Sequence, residues 1–344
     1  MNCKLTYNLI LSGGGIKGVA FIGALDILES NGFLFNNIAG VSAGSLIGSL
    51  LTAGYNSKSL NYMLDSFSFQ KMSDIQKRIS SIFEYRSYLV EMNKRHPALK
   101  DNDLITSDLR NNLISNIIKY CNDGYLFDGD YLEEWILKNL SIKGIRTFAD
   151  LRGGFISNDN PNGYKMRMTA VDTTRGKLIV LPDDISFYGI KPDNLEVAKA
   201  IRMSSSVPFI FKPVELKSSF KNSINNYQII DGGVFDNFPF WLINYNTYDK
   251  FKYSDIPSIG MKLVSNEQKN FLSGFSFVNI LKSIISANHN IDVPCKGSFP
   301  NKDTIEIYTS NISALDFNVN YKEKEYLINS GRIAASNYIN LNKS

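Results

Sequence analysis

Ser42 lies in the string Gly40-Val41-Ser42-Ala43-Gly44, which fits the G-x-S-x-G pattern of a nucleophile elbow. Glycines on both sides of the serine permit a strained strand-to-helix turn that lifts the hydroxyl clear of the backbone. Five letters alone are common, and the context carries the signal. Phe33 to Val41 reads as a strand, and the small apolar residues from Ala43 to Leu51 read as a helix that stops near Gly54. The dipole of such a helix favours negative charge near its first amides. Upstream, the apolar run Tyr7 to Leu11 meets Gly13-Gly14-Gly15-Ile16-Lys17-Gly18. That string satisfies G-x-G-x-x-G, but a dinucleotide loop needs an acidic residue at the end of the next strand, where Ala39-Gly40-Val41-Ser42 stands instead. Gly18 after Lys17 also excludes a Walker A loop. An oxyanion hole fits better, with amides at Gly13, Gly14, Gly15 and Ala43 facing an ester carbonyl oxygen. Lys17 then adds electrostatic help or is a solvated loop residue.

A serine nucleophile needs a base, and the chain has two histidines, His96 and His289. Ser42, Asp231 and His289 follow the chain order of α/β-hydrolase triads. Asp231 stands at the end of the strand Tyr227 to Ile230, in a tight Asp231-Gly232-Gly233 turn. Acting directly on Ser42, it requires only that the two turns meet. A carboxylate of ordinary pKa, about 3.9, is a weak base for a hydroxyl, so burial must raise its basicity or the oxyanion hole must supply most of the rate. Both arrangements stay open at this point. Cys3, Cys121 and Cys295 are odd in number and form no C-x-x-C pair, which gives neither a disulfide framework nor a thiolate zinc site and points to a reducing compartment. No metal and no cofactor is expected.

The elements that must position these residues alternate. Strand, glycine loop, helix (Val19 to Leu28, stopped by Asn31-Gly32), strand, turn and helix within the first 54 residues argue a parallel sheet with crossover helices. From Asn56 to Asp150 the pattern is helical, with segments at Met72 to Phe83, Ser107 to Cys121 and Asp130 to Leu140, the last N-capped by Asp130. Tyr164 to Val171 and Lys177 to Leu181 read as a hairpin, followed by a helix over Leu195 to Met203. The tail adds a strand (Ile259 to Val264), an apolar helix (Phe271 to Ala287), a strand (Thr304 to Tyr308) and a last helix (Lys322 to Leu341). The 344 residues are 44% hydrophobic and 20% charged, an ordinary globular composition that excludes a disordered or collagen-like chain. Net charge is +4 without a basic run, so no nucleic acid is expected, while the mild excess suits transient contact with an anionic membrane surface. Leu9-Ile10-Leu11 is too short for a signal-peptide core, and no apolar run reaches the ~18 residues of a membrane span. A cytoplasmic or peripheral-membrane location is the expectation.

Taken together, Gly13 to Gly18, Gly40 to Gly44 and Asp231-Gly232-Gly233 resemble, in order, the three signature blocks of patatin-like phospholipases. Ala200-Ile201-Arg202-Met203-Ser204-Ser205-Ser206-Val207-Pro208-Phe209 is similar to that family's Arg-x-Ser-rich block ending in Pro, and Asn237-Phe238-Pro239 is similar too. The departures, at Met203 and Ser204, bear on pocket shape rather than chemistry. The resemblance implies a three-layer α/β/α fold with a central, mostly parallel sheet. It implies a single domain over 1–344, with a catalytic core at 7–245, a helical insertion at 56–150 and a C-terminal extension at 246–344. It further implies a Ser-Asp dyad hydrolase of lipid acyl esters: Ser42 as nucleophile, Asp231 as base and Gly13, Gly14, Gly15 and Ala43 as oxyanion hole. Lys17, Gly18, Gly40, Gly44, Gly232 and Gly233 support the motifs. Two alternatives are a lipid-binding module with little turnover and a Ser-Asp-His esterase using His289.

Overall fold

The computed structural model describes residues 5–67, 124–125, 127–157, 160–220, 223–243, 256–264, 303–310, 312, 314 and 319–343. Strand β1 (Leu5–Leu11) leads through a 3-10 turn (Gly15–Gly18) into α1 (Val19–Ser30), then β2 (Phe33–Gly40) and α2 (Ala43–Thr52). Helices α3 (Ser57–Ser66) and α4 (Asp130–Ile142) follow, then β3 (Met166–Asp172), β4 (Lys177–Leu181) and α5 (Val197–Ser204). The chain continues with β5 (Val214–Phe220), β6 (Ser223–Asp231), β7 (Ser258–Val264), β8 (Thr304–Tyr308) and α6 (Tyr321–Lys343).

The eight strands form one sheet in the order β5-β6-β3-β2-β1-β7-β8, with β4 paired to β3. Pairs β1/β2, β1/β7, β2/β3 and β7/β8 are parallel, and β3/β4, β3/β6 and β5/β6 are antiparallel. β3 is the strand that organises the site. Along one edge it pairs with β4 over Met168–Asp172. Its other edge is shared: β2 pairs with Met166–Met168, and β6, running the opposite way, pairs with Ala170–Asp172. The carboxyl ends of β2 and β6 therefore meet end to end, on either side of Thr169.

Side chains alternate across the pleat, so Leu9 and Leu11 enter the large core while Ile10 joins a smaller cluster on the other face with Ala39, Phe240, Trp241 and Leu242. Every described α-helix contributes to the large core. Among the described residues the second face is covered by the segment 238–243, and the expected helices at 72–83, 107–121 and 271–287 lie outside the described residues. The fold is a mixed, mostly parallel sheet flanked by helices, as expected from the alternating elements.

Two local readings need correction. The N-cap of α4 is Gly129, at φ 86°, with Asp130 already the first helical residue; a Cβ at Gly129 would collide with the Arg202 guanidinium, so the packing of Arg202 fixes where the helix enters. The sequence reading also has no strand at β5 and starts β6 at Tyr227. Asn225 and Asn226 are exposed in that hairpin, and a half-solvated antiparallel pair needs only one apolar face.

Candidate active site

Ser42 caps α2 with φ 52° and ψ −121°, a conformation an L-residue adopts only when its surroundings enforce it. The enforcement is close packing behind the turn. A Cβ at Gly44 would lie 2.4 Å from the Leu11 carbonyl oxygen, so only glycine lets α2 start this near to β1. Gly40 is equally tight, against the Gly44 backbone, and Gly18 faces Ala43. Ser42 is only 5% exposed, at the start of a helix that continues with Gly44 N–H donating to Val41 at 2.8 Å.

Asp231 ends β6 opposite Ala170 and is 3% exposed. The Ser42 side chain stands beside its carboxylate, close enough to hold the Asp231 pKa down. The Gly233 amide donates to Asp231 Oδ1 at 2.7 Å, while Gly232 lies against the Thr169 carbonyl. Burial pushes the Asp231 pKa up to about 7, against the lowering effects of the neighbouring Ser42 side chain and of the Gly233 amide. The raised basicity that a direct carboxylate base requires is thus a product of where β6 ends.

The glycine loop lies beside this pair. Gly15, at φ 54°, and Ala43 line the same cavity as Ser42, and Gly14 packs against Leu263. Gly13 differs from expectation. Its amide donates to the Asn237 carbonyl at 3.0 Å, and Asn237 Nδ2 donates back to the Gly13 carbonyl at 3.2 Å, so Gly13 anchors the loop and is removed from the set of donors. Among the described residues the amides of Gly14, Gly15 and Ala43 have no backbone acceptor. Lys17 is 7% exposed, which rules out a solvated loop side chain.

An apolar cavity of about 110 Å³ opens at Ser42 and Ala43 and is walled by Ile47, Leu64, Phe67 and Trp135. It offers dispersion contacts and almost no polar partner, the environment of a hydrocarbon chain. Among the described residues no group of three or more His, Cys, Asp or Glu could hold a metal ion, and no helix is long and apolar enough to cross a membrane. His289 and His96 lie outside the described residues.

Sequence reasoning undervalued two residues here. Ser204, read as shaping the pocket, accepts the Ser42 amide on its hydroxyl at 3.1 Å. Arg202, 2% exposed, donates to the Ser206 hydroxyl and to the carbonyls of Asp128 at 2.5 Å and Lys212 at 2.7 Å. It ties the segment after α5 to the entry of α4. An arginine in an otherwise apolar helical stretch, two residues ahead of Ser204-Ser205-Ser206, was the available signal.

A family model described as Patatin-like phospholipase matches residues 9–243. Over 327 residues the chain is 32% identical to the uncharacterized protein YqhO of Bacillus subtilis strain 168, covering 94% of each. It is 26% identical to the probable lipid hydrolase 463L of Invertebrate iridescent virus 6, over 84% of this chain and 81% of that one. Among solved structures, VipD from Legionella pneumophila aligns with a TM-score of 0.49 at 15% identity, over 97% of this chain and 66% of that chain. ExoU of Pseudomonas aeruginosa, in complex with SpcU, aligns with a TM-score of 0.43 at 17% identity, over 98% of this chain and 51% of that chain. The family match over two thirds of the sequence and the end-to-end likeness to YqhO place the conclusion beyond the motifs alone: the chain belongs to the patatin-like phospholipase family.

Proposed function

We propose that this protein hydrolyses carboxylic esters of membrane lipids through a Ser42–Asp231 dyad and an acyl-enzyme. The observation that carries the reading is the juxtaposition of Ser42 with a buried Asp231 of raised pKa, at the mouth of an apolar cavity. In the first half-reaction Ser42 Oγ attacks the ester carbonyl carbon and its proton passes to Asp231. The oxyanion is held by amides from Gly14, Gly15 and Ala43, and the first turn of α2 adds its dipole. Collapse breaks the bond to the alcohol, which leaves with the proton from Asp231. Water then gives a proton to Asp231 as it attacks the acyl-enzyme, and the fatty acid departs as Ser42 recovers its hydrogen. A carboxylate of pKa near 7 is matched to both transfers at neutral pH. The acyl chain occupies the cavity, and the net charge of +4 supports transient adsorption to an anionic lipid surface. The whole chain acts as one hydrolase domain, its tail supplying β7, β8 and α6.

The test is fatty-acid release from a panel of phospholipids, lysophospholipids and short esters, read by mass spectrometry. Ser42→Ala must lose hydrolysis and fluorophosphonate labelling with its fold intact; persistence of either refutes the nucleophile. His289→Ala must keep activity near wild type, and a hundredfold loss in a folded variant would replace the dyad with a triad.

A further inference from the structure

Bonds in the ladder between parallel strands recur every two residues. Ile38 N–H donates to the Lys165 carbonyl at 2.7 Å, and Gly40 pairs with Met168. Continuing four residues along both strands, the next-but-one bond would join Ser42 N–H to the Thr169 carbonyl. That bond is interrupted by a side chain. Ser42 N–H donates to Ser204 Oγ at 3.1 Å, and the Ser204 hydroxyl donates to the Thr169 carbonyl at 2.8 Å. Ser204 is wholly buried at the end of α5. Its hydroxyl is spliced into the ladder at the residue where φ turns positive, holding Ser42 off the strand line by the width of one oxygen. Two residues on, the Ser206 carbonyl accepts the Asp231 amide at 2.9 Å. One short turn therefore grips the backbone of both members of the pair, and does so at the gap where β2 and β6 meet.

We propose that Ser204 is a positioning residue that sets the Ser42–Asp231 geometry by replacing a backbone rung of the sheet. The proposal rests on Ser42 being the nucleophile. It differs from a general packing role, because removing the hydroxyl leaves the Ser42 amide and the Thr169 carbonyl without the oxygen that joins them, and the elbow must relax toward a direct rung. Such a relaxation displaces Ser42 Oγ from Asp231 without emptying the acyl cavity.

The experiment is fluorophosphonate labelling of the full chain, measuring the rate constant and the end point separately, with kcat and KM on a short-chain ester. Ser204→Ala and the near-isosteric Ser204→Cys are expected to reach the wild-type end point at least tenfold more slowly, with kcat reduced in step and KM unchanged. Ser204→Thr, which keeps the hydroxyl, is expected to recover most of the rate. If Ser204→Ala fails to fold, Ser204→Cys decides. Labelling of the folded variants at the wild-type rate overturns the positioning role and leaves the nucleophile standing. A wild-type chain that neither labels nor hydrolyses overturns both.

Discussion

The Ser42 side chain meets the carboxylate of Asp231, although β2 and β6, which deliver the two residues, run in opposite directions. The contact exists because both strands end on the same edge of β3, one arriving at Met168 and the other at Ala170. A carboxylate brought in this way is walled by strands on one side and by the elbow on the other. Its basicity and its proximity to Ser42 have one structural cause.

The rate of ester hydrolysis should follow the ionisation of Asp231. Only the carboxylate can take the Ser42 proton, so kcat/KM is expected to rise with pH, reach half its maximum near pH 7 and stay level above. Asp231→Asn should lose roughly 10²–10⁴-fold in rate and show no such rise. A pH profile between 5 and 9 on a soluble ester checks both. A wild-type midpoint near 4 would mean that the carboxylate is not desolvated as described.

Stability should move in the opposite sense over the same interval. The native pKa of about 7 lies above an unfolded value of ~3.9, so the folded state holds its proton where the unfolded chain has released it. The contribution is fully present below about pH 4 and is lost as pH rises through 7, to a limit on the order of 4 kcal/mol. Asp231→Asn stays neutral. Its Tm relative to wild type is therefore expected to increase from pH 4 to pH 8, which scanning calorimetry at the two pH values would detect. A constant difference would contradict it. The pH that switches the base on is the pH at which the site costs the fold most.

Trp135 and Phe67 meet edge to face, ring centroids 4.9 Å apart, in the wall of the cavity that begins at Ser42. Ile47 lies five residues into α2 beyond Ser42, a rise of about 7.5 Å along the helix, so in the proposed reaction this wall would meet the acyl chain well past its carbonyl. Trp135→Ala should widen the cavity and shift the preferred ester toward longer or bulkier acyl groups, while costing about 3–5 kcal/mol of stability. The ratio of kcat/KM for long over short chains is the measurement. An unchanged ratio in a folded variant would place the acyl group elsewhere.

Much of the site is legible in the sequence because its parts are local. Ser42 with its glycines, the loop from Gly13 to Gly18 and the Asp231-Gly232-Gly233 turn each declare a backbone that approaches something closely. What joins them is not local. The antiparallel course of β6 depends on its pairing with Ala170–Asp172, which no periodicity in Tyr227–Asp231 announces. Ser204 reads as one serine in a run until the sheet register shows that it occupies a missing rung. The commitment of the Gly13 amide is equally hidden, since it depends on Asn237, more than two hundred residues away.

The contact between α1 and α6 gives a test in which two ordinary principles predict opposite signs. Gly331 sits inside the 23-residue α6, where replacing glycine by alanine stabilises an isolated helix by about 1 kcal/mol. In the folded chain a Cβ at that position would lie 1.9 Å from the Ala20 carbonyl oxygen and 2.8 Å from the Ala24 amide nitrogen. Gly23 on α1 answers it, with its Cβ site 1.8 Å from the Ile328 carbonyl. Both obstacles are backbone, which cannot rotate aside, so the two helices must separate along their whole contact. Overpacking of this kind costs ~1–3 kcal/mol or more, which exceeds the helix propensity gained. Gly331→Ala should therefore lower Tm, by up to about 3 °C for a chain of this length. Gly54→Ala supplies the comparison: at φ 89° it is strained, but nothing lies within 4 Å of its Cβ site, so its loss reflects backbone conformation alone. A Tm for Gly331→Ala at or above wild type would show that α6 does not press on α1 as closely as described, and that the tail is a looser part of the fold.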